Sequence, residues 1–398
     1  MYQALYRKYR PKTFEDVVGQ QVIIKTLTNS ILNNKITHAY LFTGPRGTGK
    51  TSIAKILAQL VNCESSEKII PCNKCVSCTQ NINKQNTDII EIDAASNNGV
   101  DEIRDLRDKV SLVPSYGKYK VYIIDEVHML TTAAFNALLK TLEEPPKHII
   151  FILATTEPHK IPATILSRCQ RFDFKKIGIN DIKKRINHIC EVEKIKIEDE
   201  AIELIAKLSD GGMRDSLSLL DQITTYTSNK ITIDDVNDVY GTITINEIYR
   251  LILQILNKNI NEIFNSINEY DNNGKNLVKI LELIVEFLKN VLINYNCSEY
   301  FDNLEQKNMY SDICDKTKEE KIYKMIEILL DAIKSSKTTN NIKLIFELAI
   351  IKIIELESRE TKKTEIKVEK KEIPILESKK EIKKEIKVEK KELSSKLI

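Results

Sequence analysis

The sequence predicts an α/β fold, a parallel sheet with helices on both faces, followed by two helical domains and a low-complexity tail. Three observations carry this. Short β-rich runs alternate with helical patterns up to about residue 177, the signature of a parallel sheet. Beyond residue 178 the strand runs stop and amphipathic helical spacing takes over. The last 41 residues are mostly Lys, Glu and Ile, with one Pro and no Gly or aromatics. A length of 398 residues exceeds one ordinary core, and roughly 100–200 residues per domain gives about two to four domains.

The strand runs are 38–43, 88–93, Lys120–Asp125 and 148–155. Helical patterns lie between them at Lys50–Val61, Val100–Val110 and Thr132–Glu143. Next come three short amphipathic helices at 180–193, 198–209 and 213–225, with Gly211-Gly212 as a break. The segment 246–357 reads as longer helices broken at 271–274 and 335–341. The expected domains are therefore 1–177, with an insertion at 63–78, then 178–242, 243–357 and the tail 358–398. The octapeptide EIKVEKKE occurs in that tail at 365–372 and again at 385–392. High charge and low complexity suggest a tail without a packed core. Ile382, Ile386, Leu393 and Leu397 keep helical spacing, which leaves a partner-binding helix open.

Composition excludes several classes. With 42% apolar and 29% charged residues, most of the chain can bury a core. No apolar run approaches the roughly 18–20 residues of a membrane span, so no membrane partner is expected. The opening MYQALYRKYRPKTF is basic but lacks the apolar core of a secretory signal. A cytoplasmic location is expected, where the eight cysteines stay reduced. The tail holds 14 Lys/Arg and 9 Glu, so the rest of a chain with net charge +3 is near neutral. Nucleic-acid contact would need a local basic patch. Arg104, Arg107, Lys109 and Lys140 are local candidates, but each reads more readily as a solvated helix residue, so none is taken as a site.

The run Gly44-Pro45-Arg46-Gly47-Thr48-Gly49-Lys50-Thr51 fits G-x-x-x-x-G-K-[ST], after a strand run and before a helical one. In that context the backbone N–H groups can wrap phosphates, and the helix N-terminus adds partial positive charge. Lys50 would reach the β- and γ-phosphates, and the Thr51 hydroxyl would ligate Mg2+. The apolar run Val121–Ile124 ends in Asp125-Glu126. Asp125 would join the Mg2+ shell and Glu126 would polarise an attacking water. Such a pair favours ATP hydrolysis, and the N-K-x-D base-reading motif of GTPases is missing from the sequence.

Cys63, Cys72, Cys75 and Cys78 form C-x8-C-x2-C-x2-C. Four thiolates in a reducing compartment suit a tetrahedral, closed, structural Zn2+. An iron–sulfur cluster uses similar spacing and stays open as an alternative. Cys169, Cys190, Cys297 and Cys314 are scattered and read as small apolar residues.

Several long motifs in one order then resemble the AAA+ ATPase subunits of bacterial clamp loaders, the gamma/tau family of DNA polymerase III. They are the phosphate loop, LYRKYRPKTFEDVVGQ (5–20), DIIEIDAASNNGVDEIR (88–104), DEVHML (125–130), FNALLKTLEEPP (135–146), LATTEPHKIP (153–162) and ILSRCQRF (165–172). The resemblance is dense through about residue 225 and weaker after it. It implies an AAA+ P-loop domain, a small helical lid and an all-α collar. It implies that Thr155 senses the γ-phosphate, that Arg214 is a second sensor on the lid, and that Arg168 is a finger for the neighbouring subunit's ATP. A box around Arg7, Arg10, Pro11, Val17, Val18 and Gln20 would close over the adenine. The family carries structural zinc at the cysteine insertion.

The implied activity is ATP-driven opening of the sliding (beta) clamp and its loading on primer–template DNA. The implied assembly contains delta- and delta-prime-type subunits and further copies of the chain. The long form of the family binds the polymerase core and the replicative helicase through further C-terminal domains. Here a Lys/Glu tail stands at that place, so a short or reduced form is expected and those two contacts are not carried over. A Holliday-junction motor or protein remodeller would not explain the cysteine insertion and the Ser167-Arg168-Cys169 finger. A non-hydrolysing scaffold subunit would not explain the intact loop and acid pair.

Overall fold

The computed structural model describes residues 2–65, 70–83, 85–227, 229–297, 300–301, 303–339 and 341–365. The two octapeptide repeats and the apolar stripe of the tail lie outside the described residues, apart from Glu365 itself. The chain divides into two compact units, 1–244 and 245–398.

In the first unit the elements run α1 (Leu5–Lys8), α2 (Gln21–Leu32), β1 (Ala39–Thr43), α3 (Lys50–Val61), α4 (Val76–Ile82), β2 (Ile89–Asp93), α5 (Val100–Val110) and β3 (Lys120–Asp125). They continue with α6 (Thr132–Glu143), β4 (Ile149–Thr155), α7 (Ala163–Leu166) and β5 (Gln170–Asp173). The strands form one parallel sheet in the order β2-β3-β4-β1-β5. β1 and β4 are buried along their whole length, which is why they read as unbroken apolar runs rather than alternating ones.

Alternate side chains feed two cores, as a two-residue pleat requires. Tyr40 and Phe42 join Ile53, Leu57 and Leu60 of α3 and Leu27 of α2 on one face. Ala39 and Leu41 join Ile103 and Leu106 of α5 and Leu138 and Leu142 of α6 on the other. Each fully buried aliphatic or aromatic side chain contributes roughly 1.5–3 kcal/mol relative to exposure.

The four expected strands form, and a fifth, β5, joins beside β1. Only Phe172 of β5 is buried, so its apolar signal is a single residue. Asp88, expected to begin a strand, lies one residue before β2. Its carboxylate instead accepts the N–H groups of Ser115 (2.7 Å), Tyr116 (2.6 Å) and Gly117 (2.8 Å), fastening the turn before β3.

The same unit continues with α8 (Ile179–Glu193), α9 (Asp199–Leu208), α10 (Met213–Tyr226) and α11 (Ile233–Tyr240). The first three match expectation, and Gly211 (φ +81°) makes the break before α10. α11 is additional and begins at a capping box, Thr232 with Asp235. These helices share a core that takes in Leu5 of α1.

The second unit is all helical among its described residues: α12 (Ile245–Leu256), α13 (Ile260–Asn272), α14 (Leu277–Asn296), α15 (Leu304–Lys316), α16 (Glu319–Ser335) and α17 (Ile342–Glu365). The expected breaks overlap the gaps after α13 and α16. Three further gaps, after α12, α14 and α15, divide the segment more finely than expected, and α17 runs past the boundary expected at 357. Phe287 and Tyr310 meet edge to face at 5.0 Å in its core, and the Tyr249 hydroxyl donates to Asp312 at 2.6 Å. No described helix is long and apolar enough to cross a membrane.

Candidate nucleotide-binding site

Strand order determines what meets at the carboxyl end of the sheet, where parallel sheets bind ligands. β1 leads into the glycine loop, β3 ends in Asp125, and β4 lies between them with Thr155 paired to Thr43 in register. Gly44 leaves β1 at φ +139°, and a Cβ there would sit 2.4 Å from the Phe174 carbonyl oxygen. Gly49 caps α3 at φ +100°, a backbone state that L side chains rarely adopt.

A cavity of about 770 Å3 opens over this loop. Arg46, Gly47, Thr48, Gly49, Lys50 and Thr51 line the cavity, as do Asp125 and Glu126. Gly44 and Pro45 do not line it. Their carbonyls accept the Lys50 ammonium at 2.8 Å each. Burial pulls the Lys50 pKa down, and the Glu126 and Asp125 charges oppose that shift. The Thr51 hydroxyl donates to Asp125 Oδ2 at 2.6 Å. Two hard oxygen donors brought together in this way suit Mg2+.

Glu126 adopts φ +46°, uncommon for a residue with a side chain. Its Oε2 accepts from the Thr156 N–H (3.3 Å) and hydroxyl (3.1 Å). Thr155 is fully buried and does not line the cavity. The Glu157 N–H donates to its Oγ1 at 3.0 Å, and His128 Nδ1 lies 3.1 Å away.

Further lining comes from the N-terminal arm and the helices after β5. Arg7, Arg10, Pro11, Val17 and Val18 line the cavity, and Arg10 Nε donates to Ser52 Oγ at 3.3 Å. Gln20 does not. It is buried, its amide donates to the Lys175 carbonyl (2.8 Å) and its Oε1 accepts the Lys175 N–H (3.4 Å), so it staples the chain after β5. Arg214 lines the cavity from the start of α10, with its guanidinium 5.2 Å from the Tyr6 ring centroid. Asp210, four residues before Arg214, pairs with Lys176 at 2.6 Å. Tyr6, Tyr9, Ile177, Arg185, Met213 and Leu217 also line the cavity, and local spacing gave no signal for them. Their chain distance from the loop spans most of the unit.

Arg168 lies outside this cavity. Its guanidinium donates to Glu143 Oε1 and the Thr164 carbonyl, both at 2.8 Å.

At the other end of α3, the Sγ atoms of Cys63, Cys72, Cys75 and Cys78 all lie within 4.8 Å of one another. Backbone N–H groups point at the sulfurs: Cys72 to Cys63 (3.4 Å), Cys75 to Cys72 (3.3 Å) and Cys78 to Cys75 (3.5 Å). Such bonds stabilise thiolates. Those from Lys74 and Cys75 bring Cys72 down to about 6, while burial pushes Cys78 up to about 12. A tetrahedral ion with Zn–S near 2.3 Å sets sulfurs ~3.8 Å apart, and Cys72 and Cys78 stand at 4.0 Å. The donor set fits zinc.

Three family models match consecutive stretches: "DNA polymerase III, delta subunit" at 19–178, "DNA polymerase III clamp loader subunit, ATPase lid domain" at 181–229, and "DNA polymerase III subunits gamma and tau domain III" at 231–368. DNA polymerase III subunit tau of Bacillus subtilis is 49% identical over 88% of this chain and 63% of its own length. Subunit gamma/tau of Mycoplasma genitalium is 47% identical over 71% of this chain and 47% of its own. Subunit gamma of Buchnera aphidicola subsp. Baizongia pistaciae is 41% identical over 76% of this chain and 84% of its own. The chain thus spans about half to two thirds of the first two relatives and most of the third. On this evidence, the chain belongs to the DNA polymerase III gamma/tau family of clamp-loader subunits.

Proposed function

We propose that this chain is an ATP-hydrolysing motor subunit of a replicative clamp loader, opening a sliding clamp and leaving it on primed DNA. The observation that carries the proposal is one cavity lined by the glycine loop, Lys50, Thr51, Asp125, Glu126 and a lid arginine, Arg214. A triphosphate entering it competes for the Lys50 ammonium, now held by two loop carbonyls. Arg214 meets the same phosphates from α10, so bound nucleotide draws lid and loop together. Glu126, released from Thr156, orients the attacking water, and Thr155 reads the γ-phosphate from the end of β4. Thr51 and Asp125 would hold Mg2+, which would supply positive charge against the negative charge that develops on the phosphates.

Arg168 does not line its own cavity, which supports service to the ATP of an adjoining protomer. Such a finger contributes roughly 10³–10⁵ in rate in related systems. The four cysteines would hold a structural zinc, closed to substrate. The partners that follow are delta- and delta-prime-type subunits, further copies of the chain, the clamp and primer–template DNA.

The test is ATPase activity of the full chain, alone and with clamp and primed DNA. Lys50→Ala should lower turnover by about 10²–10³ or more, the loss typical of one direct transition-state donor. Unchanged turnover means the assigned site is wrong. Mixing Arg168→Ala chains with Lys50→Ala chains should restore part of the activity, and no rescue would argue against action in trans.

A further inference from the structure

His128, in the turn after β3, is not assigned by the functional reading, yet it touches both groups that bracket the reaction. Its side chain is only 7% exposed. Nδ1 lies 3.1 Å from Thr155 Oγ1 and 3.4 Å from Glu126 Oε2. Nε2 lies 3.4 Å from Glu157 Oε1. A core histidine satisfied by packing has no need of two carboxylates and a hydroxyl.

We propose that His128 is a positioning residue that ties Thr155 to Glu126 through its Nδ1 hydrogen, so that the two respond to nucleotide as a unit. The inference rests on the ATPase reading above and deepens it. Both ring nitrogens face a carboxylate oxygen at 3.4 Å, which can only accept. Nδ1 also has the Thr155 hydroxyl at 3.1 Å, and we place a hydrogen on it. The Thr155 oxygen has two acceptor positions and one proton. The Glu157 N–H takes one acceptor position (3.0 Å) and the His128 N–H takes the other. The proton of Thr155 is then uncommitted, and it can turn to a phosphate oxygen once bound nucleotide uncovers this buried residue, which does not itself line the cavity. Were Nδ1 bare, that proton would be spent on the imidazole. The same N–H sits against the Glu126 oxygen that also accepts from Thr156. A displacement of Thr155 is therefore felt at Glu126 through one ring, without passing through the nucleotide.

The two ring positions can be tested separately. The amide nitrogen of Asn falls near Nδ1, whereas that of Gln falls near Nε2. In the full chain with Mg2+ and ATP, His128→Ala should lower kcat about 10–100-fold, the scale of a misplaced catalytic group, with KM for ATP within about twofold. His128→Asn should recover most of that loss and His128→Gln should not. The double variant Thr155→Val/His128→Ala should be no slower than the slower single variant. Thermal unfolding gives the folded fraction, and rates are compared per folded chain.

Equal rescue by Asn and Gln, three variants matching wild type, or multiplicative losses in the double variant would each overturn the inference. Wild-type turnover that Lys50→Ala abolishes keeps the ATPase reading in place whichever way His128 falls. A wild type without turnover overturns both.

Discussion

The two ends of α3 carry different kinds of chemistry, and the difference lies in which groups supply the contacts. At its start, glycine backbone, one lysine and one hydroxyl leave a cavity of about 770 Å3 for a ligand that comes and goes. At its end, Cys63 joins three further sulfurs within 4.8 Å, and the donor set is complete without any outside group. One helix thus links an open site to a closed one. The open end draws on residues from the whole unit, from Tyr6 to Leu217. The closed end draws on 16 consecutive positions, 63–78. The proposed turnover site thus borrows parts from elements far apart in the chain, whereas the proposed structural site is built from one short stretch.

That contrast can be broken at either end, and the effects on nucleotide binding should fall in order. Gly44→Ala should be the most damaging. Its Cβ would meet a backbone carbonyl oxygen at 2.4 Å at φ +139°, for a cost of about 3 kcal/mol from strain and overpacking. Calorimetric unfolding should show a large fall in Tm, and ATP binding should go with it. Tyr6→Leu comes next. It removes the ring 5.2 Å from the Arg214 guanidinium, worth about 0.5–1 kcal/mol. ATP should bind roughly two- to fivefold more weakly in a titration, and Tyr6→Phe should bind as wild type. Cys75→Ser or chelation should matter least to nucleotide, with under about twofold change in ATP affinity, while the knot itself loses protection from hydrogen exchange. Metal analysis of the untreated chain should give about one zinc per chain, and iron with sulfide would contradict the assignment.

The sequence carried the local parts of this picture and missed the assembled ones. The phosphate loop, the acid pair and the cysteine spacing are each contained in a short run, so chemistry could be read from spacing alone. β5 escaped because one buried phenylalanine, Phe172, is too little signal for a strand. α11 escaped although Thr232 and Asp235 marked its start, because it is only eight residues long. Gln20 belongs by resemblance to the adenine box, yet a buried amide needs partners, and the backbone of Lys175 supplies them. Arg185 reaches the cavity from α8 and Tyr6 from α1, and neither approach can be seen before the helices pack. His128 sat in plain view within DEVHML, but its contacts depend on β4 lying beside β3.

The central claim is that the glycine-loop end of α3 binds Mg–ATP and that the cysteine end does not take part. The direct measurement is a calorimetric titration of Mg–ATP into full-length wild-type, Lys50→Ala and Cys75→Ser chains. The account predicts about one site per chain in wild type, nearly the same in Cys75→Ser, and binding weakened at least tenfold or lost in Lys50→Ala. Equal binding by wild type and Lys50→Ala, or loss of binding confined to Cys75→Ser, would contradict it.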